Sequence, residues 1–483
     1  MLPCAYDLYF ISLIWNFFLS YLRFLLPLRL RLRGHRHVEL VSLPIEIVNQ
    51  VFMHLDIPSV LAVRLSCKTF YSVTKTRQFW YSRVSQLIET RYVCPPEEKV
   101  DEYNIHELER WVRRRSRPRD VSANYWQQPS FRERTLDLQP LGLSNLEFWD
   151  FKLVPGGRWL LIYHPSVAMH FMDLDSPNPS PRLLFDPRKI DGEICKPKMV
   201  VFRIWIDKGA PRLSFRLAFV IFTKDISRTY ICQVDLADHG ANATLVASNI
   251  AILRNFDLEL WPMCTALNNR YLVQVWCGND VSTTSPIGVY DYSQALGCHD
   301  YLMTRSSEHS IGVVISGNME FICNDIFAMQ NTASRSLSIF EIGPSASLIL
   351  LHRIDMHSRS WSTIRWTPGA SVITMMDNDG RGELQGLVIP HDFSCPPTIV
   401  VLGRCNKRKS CVYTLGTWLL VAREKVHEIF SHDWEFNSPI KDELTLTSHC
   451  RVDFTTGFLI LDEDTGRFLA YPCRRKLVIY DIV

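Results

Sequence analysis

The stretch that decides the fold runs from Ser42 to Trp80 and reads SLPIEIVNQVFMHLDIPSVLAVRLSCKTFYSVTKTRQFW. Pro44 suits the first turn of a helix, because its missing N–H would have no partner there. Apolar residues then recur at helical spacing at Ile47, Val51 and Leu55. This spacing predicts a helix with a broad apolar face.

Two further short helices are predicted in the same stretch. The sequence Asp56–Ser59 interrupts the first helix, and Pro58 is well placed to begin the second. The apolar residues of these two helices are Val60, Leu61, Val63, Leu65, Cys67, Phe70, Tyr71 and Val73. Three such short helices cannot bury this much apolar surface among themselves, so the stretch predicts a partner that covers it.

The stretch resembles the F-box, whose pattern is Leu-Pro-x-Glu-Ile, then Ile/Val-Phe-x-x-Leu, then Cys followed by Arg or Lys, and a closing Trp. The matching positions are Leu43, Pro44, Glu46, Ile47, Val51, Phe52, Leu55, Cys67, Lys68 and Trp80. Phe70 stands where the pattern usually has a Trp. An ordinary three-helix core fragment is the alternative interpretation of the same residues.

The resemblance implies that these helices dock on a Skp-family adaptor and, through it, on a cullin. The candidates for the adaptor contact are the apolar residues of the three helices and of the turns that join them. They are Leu43, Pro44, Ile47, Val51, Phe52, Leu55, Leu61, Val63, Leu65 and Cys67. Some of these side chains must instead pack in the core of the helices.

Composition describes a globular chain of 483 residues, 47% hydrophobic and 12% aromatic, with room for two or three domains. The net charge of +3 is too small to indicate a nucleic-acid partner. The 14 cysteines are scattered without a Cys-x-x-Cys pair, which argues against a zinc site or a disulfide framework. We therefore expect a cytoplasmic or nuclear protein without a cofactor or metal.

The N-terminal leader, residues 1–41, is apolar and is followed by arginines. Residues 8–28 hold a single charge, Arg23, and reach the length of a bilayer span only if Arg23 extends to the headgroups. The arginines that follow are Arg29, Arg31, Arg33 and Arg36. They would keep the main part of the chain in the cytosol. A membrane anchor and a partner-binding or poorly ordered extension are both open interpretations.

Residues 81–135 predict a helical linker with a basic run. The segment Ile105–Trp111 has the spacing of a helix, and arginines follow it at Arg113, Arg114, Arg115, Arg117 and Arg119. A solvated helix end is the favoured interpretation of this run, and a nuclear-import patch is the alternative. The composition changes over Pro129–Pro140, which places the domain boundary at residues 135/136.

Residues 136–483 have the pattern of a β-rich domain. Apolar segments separated by turn residues recur in units of roughly 50 to 60 residues. The predicted strands are Trp159–Tyr163, Met169–Leu174, Leu217–Phe222, Tyr230–Leu236, Tyr271–Trp276, Ile287–Tyr292, Leu337–Ile342, Val372–Met376, Thr417–Val421, Gly457–Leu461 and Lys476–Asp481. The repeat favours a β-propeller of six or seven blades, with two stacked β-sandwiches as the alternative.

The β-rich region also resembles the large fungal families of F-box proteins that have propeller-like C-terminal regions. The resemblance is carried by Pro155–Leu161 with Met172–Leu174, and by the segment from Asp453 to Asp481. In such a fold the last strand pairs beside an early one. The expected fold class is therefore α plus all-β, with a three-helix F-box over 42–80 and a propeller-like domain over 136–483.

Catalytic motifs are absent from the sequence, which contains no Gly-x-Ser-x-Gly, Walker loop, Gly-x-Gly-x-x-Gly or His-Glu-x-x-His. Asp377–Gly380 and Asp462–Gly466 are predicted hairpin turns. The expected function is a non-catalytic substrate receptor of an SCF-type (cullin–RING) ubiquitin ligase, whose β-rich domain holds an unidentified protein substrate. The alternatives are a ligase-independent interaction scaffold and, from a third class, a propeller hydrolase, whose active site would leave no local motif.

Overall fold

The computed structural model describes most of the chain from Leu43 onward. The described residues are 43–91, 94–123, 131–139, 151–163, 168–192, 199–223, 227–255, 260–278, 285–295, 301–302, 309–311, 318–331, 334–356, 362, 364–367, 369–376, 383–404, 411–415, 418–423, 426–431, 447–453, 459–462, 464–473 and 475–482. The apolar leader and the turn Asp377–Gly380 therefore lie outside them. The chain divides into two compact units, one ending at His54 and one spanning Leu55–Val483.

The first unit contains helix α1, Ile45–Met53. Pro44 precedes it, and the Pro44 carbonyl accepts hydrogen bonds from the backbone N–H groups of Ile47 and Val48. Val48 and Phe52 are buried. Proline thus begins this helix as the sequence predicts.

The second unit begins with a helical region. Its helices are α2, Ile57–Arg64; α3, Lys68–Thr74; α4, Arg77–Arg91; and α5, Ile105–Ala123. The Asp56 side chain caps α2 by accepting the N–H of Ser59 at 2.8 Å. None of the helices in the described part of the chain is long and apolar enough to cross a membrane.

The remainder of the second unit is mostly β-structure, with one short helix, α6, Arg188–Asp191. The strands are β1 Phe131–Asp137, β2 Phe151–Leu153, β3 Trp159–Tyr163, β4 Met169–Asp173, β5 Arg182–Phe185, β6 Met199–Ile206, β7 Ser214–Phe222, β8 Ser227–Ala237, β9 Thr244–Asn255, β10 Leu260–Leu267, β11 Tyr271–Gly278, β12 Ser285–Asp291, β13 Tyr301–Leu302, β14 His309–Ile311, β15 Met319–Cys323, β16 Ile326–Asn331, β17 Ser336–Ile342, β18 Leu348–Asp355, β19 Arg365–Thr367, β20 Ala370–Met376, β21 Glu383–Pro390, β22 Thr398–Arg404, β23 Cys411–Leu415, β24 Trp418–Arg423, β25 Val426–Ser431, β26 Thr447–Asp453, β27 Leu459–Asp462, β28 Arg467–Cys473 and β29 Lys476–Ile482.

In the described residues these strands form seven sheets, which we number along the chain. Sheet 1 is β2–β5, sheet 2 is β6–β9, sheet 3 is β10–β12 with β14, sheet 4 is β15–β18, sheet 5 is β19–β22, sheet 6 is β23–β26, and sheet 7 is β27–β29 with β1. Pairing is antiparallel, except that β13 joins β9 of sheet 2 in parallel. Each strand predicted from the sequence overlaps a strand of the structure.

Sheet 7 joins the two ends of the β-rich region. Strand β29 pairs with β1 in a register that sets Phe131 opposite Ile482 and Asp137 opposite Lys476. The last strand therefore pairs with an early one, as the sequence predicts. Strand β1 crosses the expected domain boundary at residues 135/136.

Neighbouring sheets share apolar cores. Sheets 7 and 1 pack through residues such as Ile479 and Leu160, and sheets 1 and 2 through residues such as Trp159 and Phe219. Further cores join sheet 2 to sheet 3, sheet 3 to sheet 4, and sheet 4 to sheet 5. Sheet 1 and each of sheets 2, 3 and 4 therefore pack on both neighbours.

Candidate functional site

Helix α1 presents apolar side chains to solvent. Ile45 and Ile47 are exposed, whereas Val48 and Phe52 are buried. Pro44 is also exposed. Pro44, Ile45 and Ile47 thus place three apolar side chains on the exposed surface at the start of this short helix.

The end of helix α2 and helix α3 also expose large apolar side chains. Leu65, which follows α2, is 85% exposed, and Tyr71 in α3 is 51% exposed. Cys67 begins α3, and its sulfur accepts the backbone N–H of Phe70 at 3.4 Å. The cysteine of the F-box pattern thus acts here as a helix cap.

The residues predicted for the adaptor contact differ in exposure. Pro44, Ile47 and Leu65 are exposed, whereas Leu43, Val51, Leu55, Leu61, Val63 and Cys67 are half-buried. Phe52 is completely buried, so its ring faces the interior and not solvent. Ile45 and Tyr71 are exposed but were not among the predicted residues. Ile45 could have been found from its position between Pro44 and Glu46 in the first turn.

A buried polar cluster holds helices α2 to α5 together. The Arg64 guanidinium donates to the Thr74 hydroxyl at 3.0 Å, to the Thr74 carbonyl at 3.2 Å and to the Glu109 carboxylate at 2.8 Å. The Trp80 indole N–H donates to the same Thr74 carbonyl at 2.8 Å. Lys75 adds a second cation 3.4 Å from Glu109. The closing Trp of the F-box pattern is therefore fixed by a hydrogen bond as well as by packing.

The protonation of Glu109 follows from these contacts. Burial alone would raise the pKa of the Glu109 carboxyl, but the hydrogen bond and charge of Arg64, with Lys75, lower it overall. The carboxylate therefore stays ionised, which preserves its ion pair with Arg64.

The helical region joins the β-sheets through a second group of contacts. The backbone N–H of Cys94 donates to the Asp464 carboxylate at 2.9 Å, and within the β-structure the N–H of Gly156, between β2 and β3, donates to Asp462 of β27 at 3.0 Å. Arg158 forms ion pairs with Asp173 at 2.9 Å and with Glu97 at 3.4 Å. The segment before α5 is thus tied to sheets 1 and 7.

Helix α5 contributes arginines to the same junction. Arg114 pairs with Asp175 at 2.7 Å, and Arg115 is buried with its guanidinium over the Trp111 ring. Arg467 of β28 reaches the same Asp175 at 2.9 Å. The interpretation of the basic run as a solvated helix end is therefore wrong for Arg114, whose partner Asp175 lies far along the chain, and for Arg115, which is buried.

The predicted hairpin at Asp462–Gly466 is confirmed between β27 and β28. Its Asp462 carboxylate accepts the backbone N–H and the hydroxyl of Thr465. Arg467 donates to the Gly157 carbonyl. The turn thus has a structural role, in which it holds the hairpin against sheet 1.

Burial shifts the pKa of several carboxyls at this junction. It raises the pKa of Glu97 to about 7, although Arg158 opposes the shift. Burial and the neighbouring Asp462 raise the pKa of Asp464 to about 6. The pKa of Asp175 is lowered in spite of burial, because Arg114 and Arg467 stabilise its charged form. The described residues include no group of three or more metal-ligating side chains that could hold an ion.

One comparison with known protein families identifies the helical stretch. A model of the F-box domain matches residues 40–82. No curated protein matches the chain. A functionally unknown protein from Desulfotomaculum acetoxidans DSM 771 is 10% identical, with a TM-score of 0.39, and the match covers 65% of this chain and 87% of that one.

A putative 6-phosphogluconolactonase from Bacteroides fragilis NCTC 9343 is 12% identical with a TM-score of 0.35, over 63% of this chain and 86% of that one. Neither score is high enough to support an inference about fold or function.

The F-box match agrees with helices α1 to α3 and with the exposed apolar residues on them. Residues 40–82 therefore form an F-box domain, and F-box domains generally bind Skp-family adaptors.

Proposed function

We propose that the chain is a substrate receptor of an SCF-type (cullin–RING) ubiquitin ligase. The observation that carries this proposal is the F-box over residues 40–82, whose helices leave large apolar side chains uncovered. A fully buried apolar side chain contributes about 1.5–3 kcal/mol, so a few such residues support a stable interface.

The proposed adaptor contact is narrower than the set predicted from the sequence. Its candidates are the exposed Pro44, Ile45 and Ile47 in the first unit and, as a separate patch, the exposed Leu65 and Tyr71 in the second unit. The half-buried residues of the predicted set contribute their accessible atoms. Phe52 supports the fold of the domain because its side chain is fully buried.

We further propose that sheets 1 to 7 are the blades of a seven-bladed propeller. Three observations support this arrangement: the sheets follow one another along the chain, sheet 7 unites the first and last strands, and sheet 7 and sheets 1 to 5 share cores in succession. In stacked sandwiches a sheet would bury one face against one partner sheet. Sheet 2 instead buries side chains against both sheet 1 and sheet 3.

The propeller would hold the protein substrate, and the chain itself would carry out no covalent step. The junction formed by Cys94, Arg114, Arg158 and Asp175 supports a fixed connection between the helical region and the sheets. Such a connection would keep a bound substrate at a constant position relative to α2–α5. We propose a cytoplasmic or nuclear location for the chain. The alternative proposal is that residues 8–28 anchor it to a membrane with the main part of the chain in the cytosol.

The proposal is tested by affinity purification of the full chain, followed by mass spectrometry. The expected result is recovery of a Skp-family adaptor and a cullin, together with candidate substrates. The double variant Leu43→Ala, Pro44→Ala is expected to lose adaptor and cullin, while the control Val246→Ala, in strand β9, retains both. Recovery of the adaptor without any cullin would favour a ligase-independent scaffold instead.

A further inference from the structure

A layer of polar side chains lies inside the apolar core that joins sheet 2 to sheet 3. On sheet 2, Ile231 of β8 belongs to that core. Ser227 and Thr229 precede it by four and two residues on the same strand, so they lie on the same face. On sheet 3, Gln274 of β11 lies two residues before Trp276, which belongs to the same core. Both sheets therefore contribute polar side chains to this interface.

Two hydrogen bonds cross the layer from one sheet to the other. The side-chain Nε2 of Gln274 donates to the Thr229 hydroxyl at 3.2 Å. The Nε of Arg203, on β6, donates to the backbone carbonyl of Thr265, on β10, at 2.9 Å. Thr265 lies directly opposite Gln274 in the pairing of β10 with β11, so their side chains lie on one face of sheet 3. Thr229, Gln274 and Thr265 are thus close neighbours.

The side chains of this layer are buried, and three of their oxygens are unpaired. Gln274 is 0% exposed, and Ser227, Thr229 and Thr265 are each 1% exposed. Among the residues that the structure describes, no group bonds to Oε1 of Gln274, Oγ1 of Thr265 or Oγ of Ser227. A buried polar atom without a partner destabilises the folded state, so such atoms are normally paired with protein or with ordered water.

The geometry around Gln274 limits the size of any molecule that could pair with these oxygens. Directly opposite residues of antiparallel strands have their Cβ atoms about 4.5–5.5 Å apart, which leaves space only for a small molecule between Gln274 and Thr265. On the other side of Gln274, its opposite residue on β12 is Gly288. The Tyr290 hydroxyl occupies the place where a Cβ of Gly288 would lie. Protein atoms therefore cover Gln274 on the side away from Thr265.

We propose that a bound water molecule bridges Gln274 and Thr265 of sheet 3 to Ser227 of sheet 2. The water donates a hydrogen bond to Oε1 of Gln274, and it bonds to the two hydroxyls, each of which can donate or accept. Three polar partners are typical of a buried water. The water thus adds a third link between sheets 2 and 3 to the two direct hydrogen bonds. This site does not depend on the adaptor contact of the F-box.

A crystal structure of the full chain, at a resolution that shows ordered water, tests the site directly. We expect one peak of electron density within hydrogen-bonding distance of Oε1 of Gln274, Oγ1 of Thr265 and Oγ of Ser227. This measurement uses the wild type, so it does not depend on the folding of any variant. The proposal is overturned if no such peak is found between the three oxygens.

Thermal unfolding of Thr265→Val tests the same water in solution. The substitution keeps the shape of the side chain and removes its hydroxyl. If the hydroxyl bonds to a water, the variant loses that hydrogen bond and its Tm falls by about 1–2 °C. If the hydroxyl is unpaired, its removal from the core raises the Tm instead. A Tm equal to or above that of the wild type therefore overturns the proposal.

Thr229→Val is the matched control. It removes the hydroxyl that accepts the Gln274 side chain at 3.2 Å, so its Tm falls whether or not the water is bound. This fall gives the size of the effect of losing one direct hydrogen bond between the sheets. A fall of similar size in Thr265→Val supports the proposal.

Discussion

The guanidinium of Arg64, at the end of α2, lies 2.8 Å from the carboxylate of Glu109, in the second turn of α5. Both side chains are buried, with 8% and 9% of their surfaces exposed. The pair fixes the second helix of the F-box on the long helix that leads to the β-sheets. A buried pair of this kind is costly to break, because the remaining partner keeps a charge in a desolvated place.

Arg64→Met should therefore destabilise the helical region strongly. The substitution leaves Glu109 buried with Lys75 as its nearest remaining cation, at 3.4 Å. We expect a loss of about 3–5 kcal/mol in the free energy of unfolding. Urea unfolding followed by far-ultraviolet circular dichroism measures it.

Arg113→Met is the matched control. Arg113 is 3.8 Å from the same carboxylate, but its side chain is 40% exposed. We expect a change of at most about 0.5 kcal/mol, because solvent screens an exposed ion pair. Equal losses in the two variants would contradict the role assigned to the buried pair.

Leu65→Asp should weaken adaptor binding without unfolding the protein. Leu65 is 85% exposed, so the substitution removes little packing from the isolated chain. If Leu65 is buried in the complex, the aspartate should weaken the dissociation constant by at least about tenfold. Surface plasmon resonance with purified adaptor measures the change, and Val246→Asp in β9, at a residue 52% exposed, is the control. Unchanged affinity would exclude Leu65 from the contact.

Gly157→Ala should lower the free energy of unfolding far more than Gly240→Ala. Both glycines have positive φ, +72° and +63°, so both variants incur the strain of a positive φ, about 1 kcal/mol. A Cβ on Gly157 would also lie 2.6 Å from the Thr465 hydroxyl and 3.0 Å from Asp462, whereas one on Gly240 meets nothing within 4 Å. Thermal unfolding of the two variants compares them. Similar losses in Tm would show that the hairpin moves away from Gly157 freely.

Glu97→Gln should change how stability depends on pH. The pKa of Glu97 is raised from 4.5 to about 7 by burial, so the folded state holds the proton more tightly than the unfolded state. The contribution of Glu97 to stability is thus fully present below pH 4.5 and is lost as the pH rises through about 7. As the pH rises over that range, the free energy of unfolding of the variant should increase by about 1–3 kcal/mol relative to that of the wild type. Urea titrations at several pH values measure the difference, and a difference independent of pH would contradict it.

Much of the fold could be predicted from the sequence. The β-strands are predicted from apolar segments such as Trp159–Tyr163 and from the turn residues between these segments. The helices of the F-box follow from Pro44 and Pro58, which begin helices, and from the apolar spacing between them. In both cases the signal is local, because neighbouring residues carry it.

The burial of individual residues was harder to predict. Helices as short as α1 and α3 expose and bury alternate apolar residues, so Ile47 and Phe52 have similar sequence signals but opposite environments. The junction was missed for a different reason. Arg114 pairs with Asp175, and Cys94 bonds to Asp464. The partners in each pair are far apart in the sequence, so a pattern of neighbouring residues does not predict either contact.

The pairing of β1 with β29 has a consequence for synthesis on the ribosome. Phe131 meets Ile482, so β1 leaves the exit tunnel long before its partner strand has been translated. At the usual rate of elongation this delay is on the order of tens of seconds. Until then β1 keeps an unpaired edge that other nascent strands can join. Chaperones that shield such edges should therefore hold this chain until β29 has been translated, and products that terminate before β29 should be recognised by their open sheet.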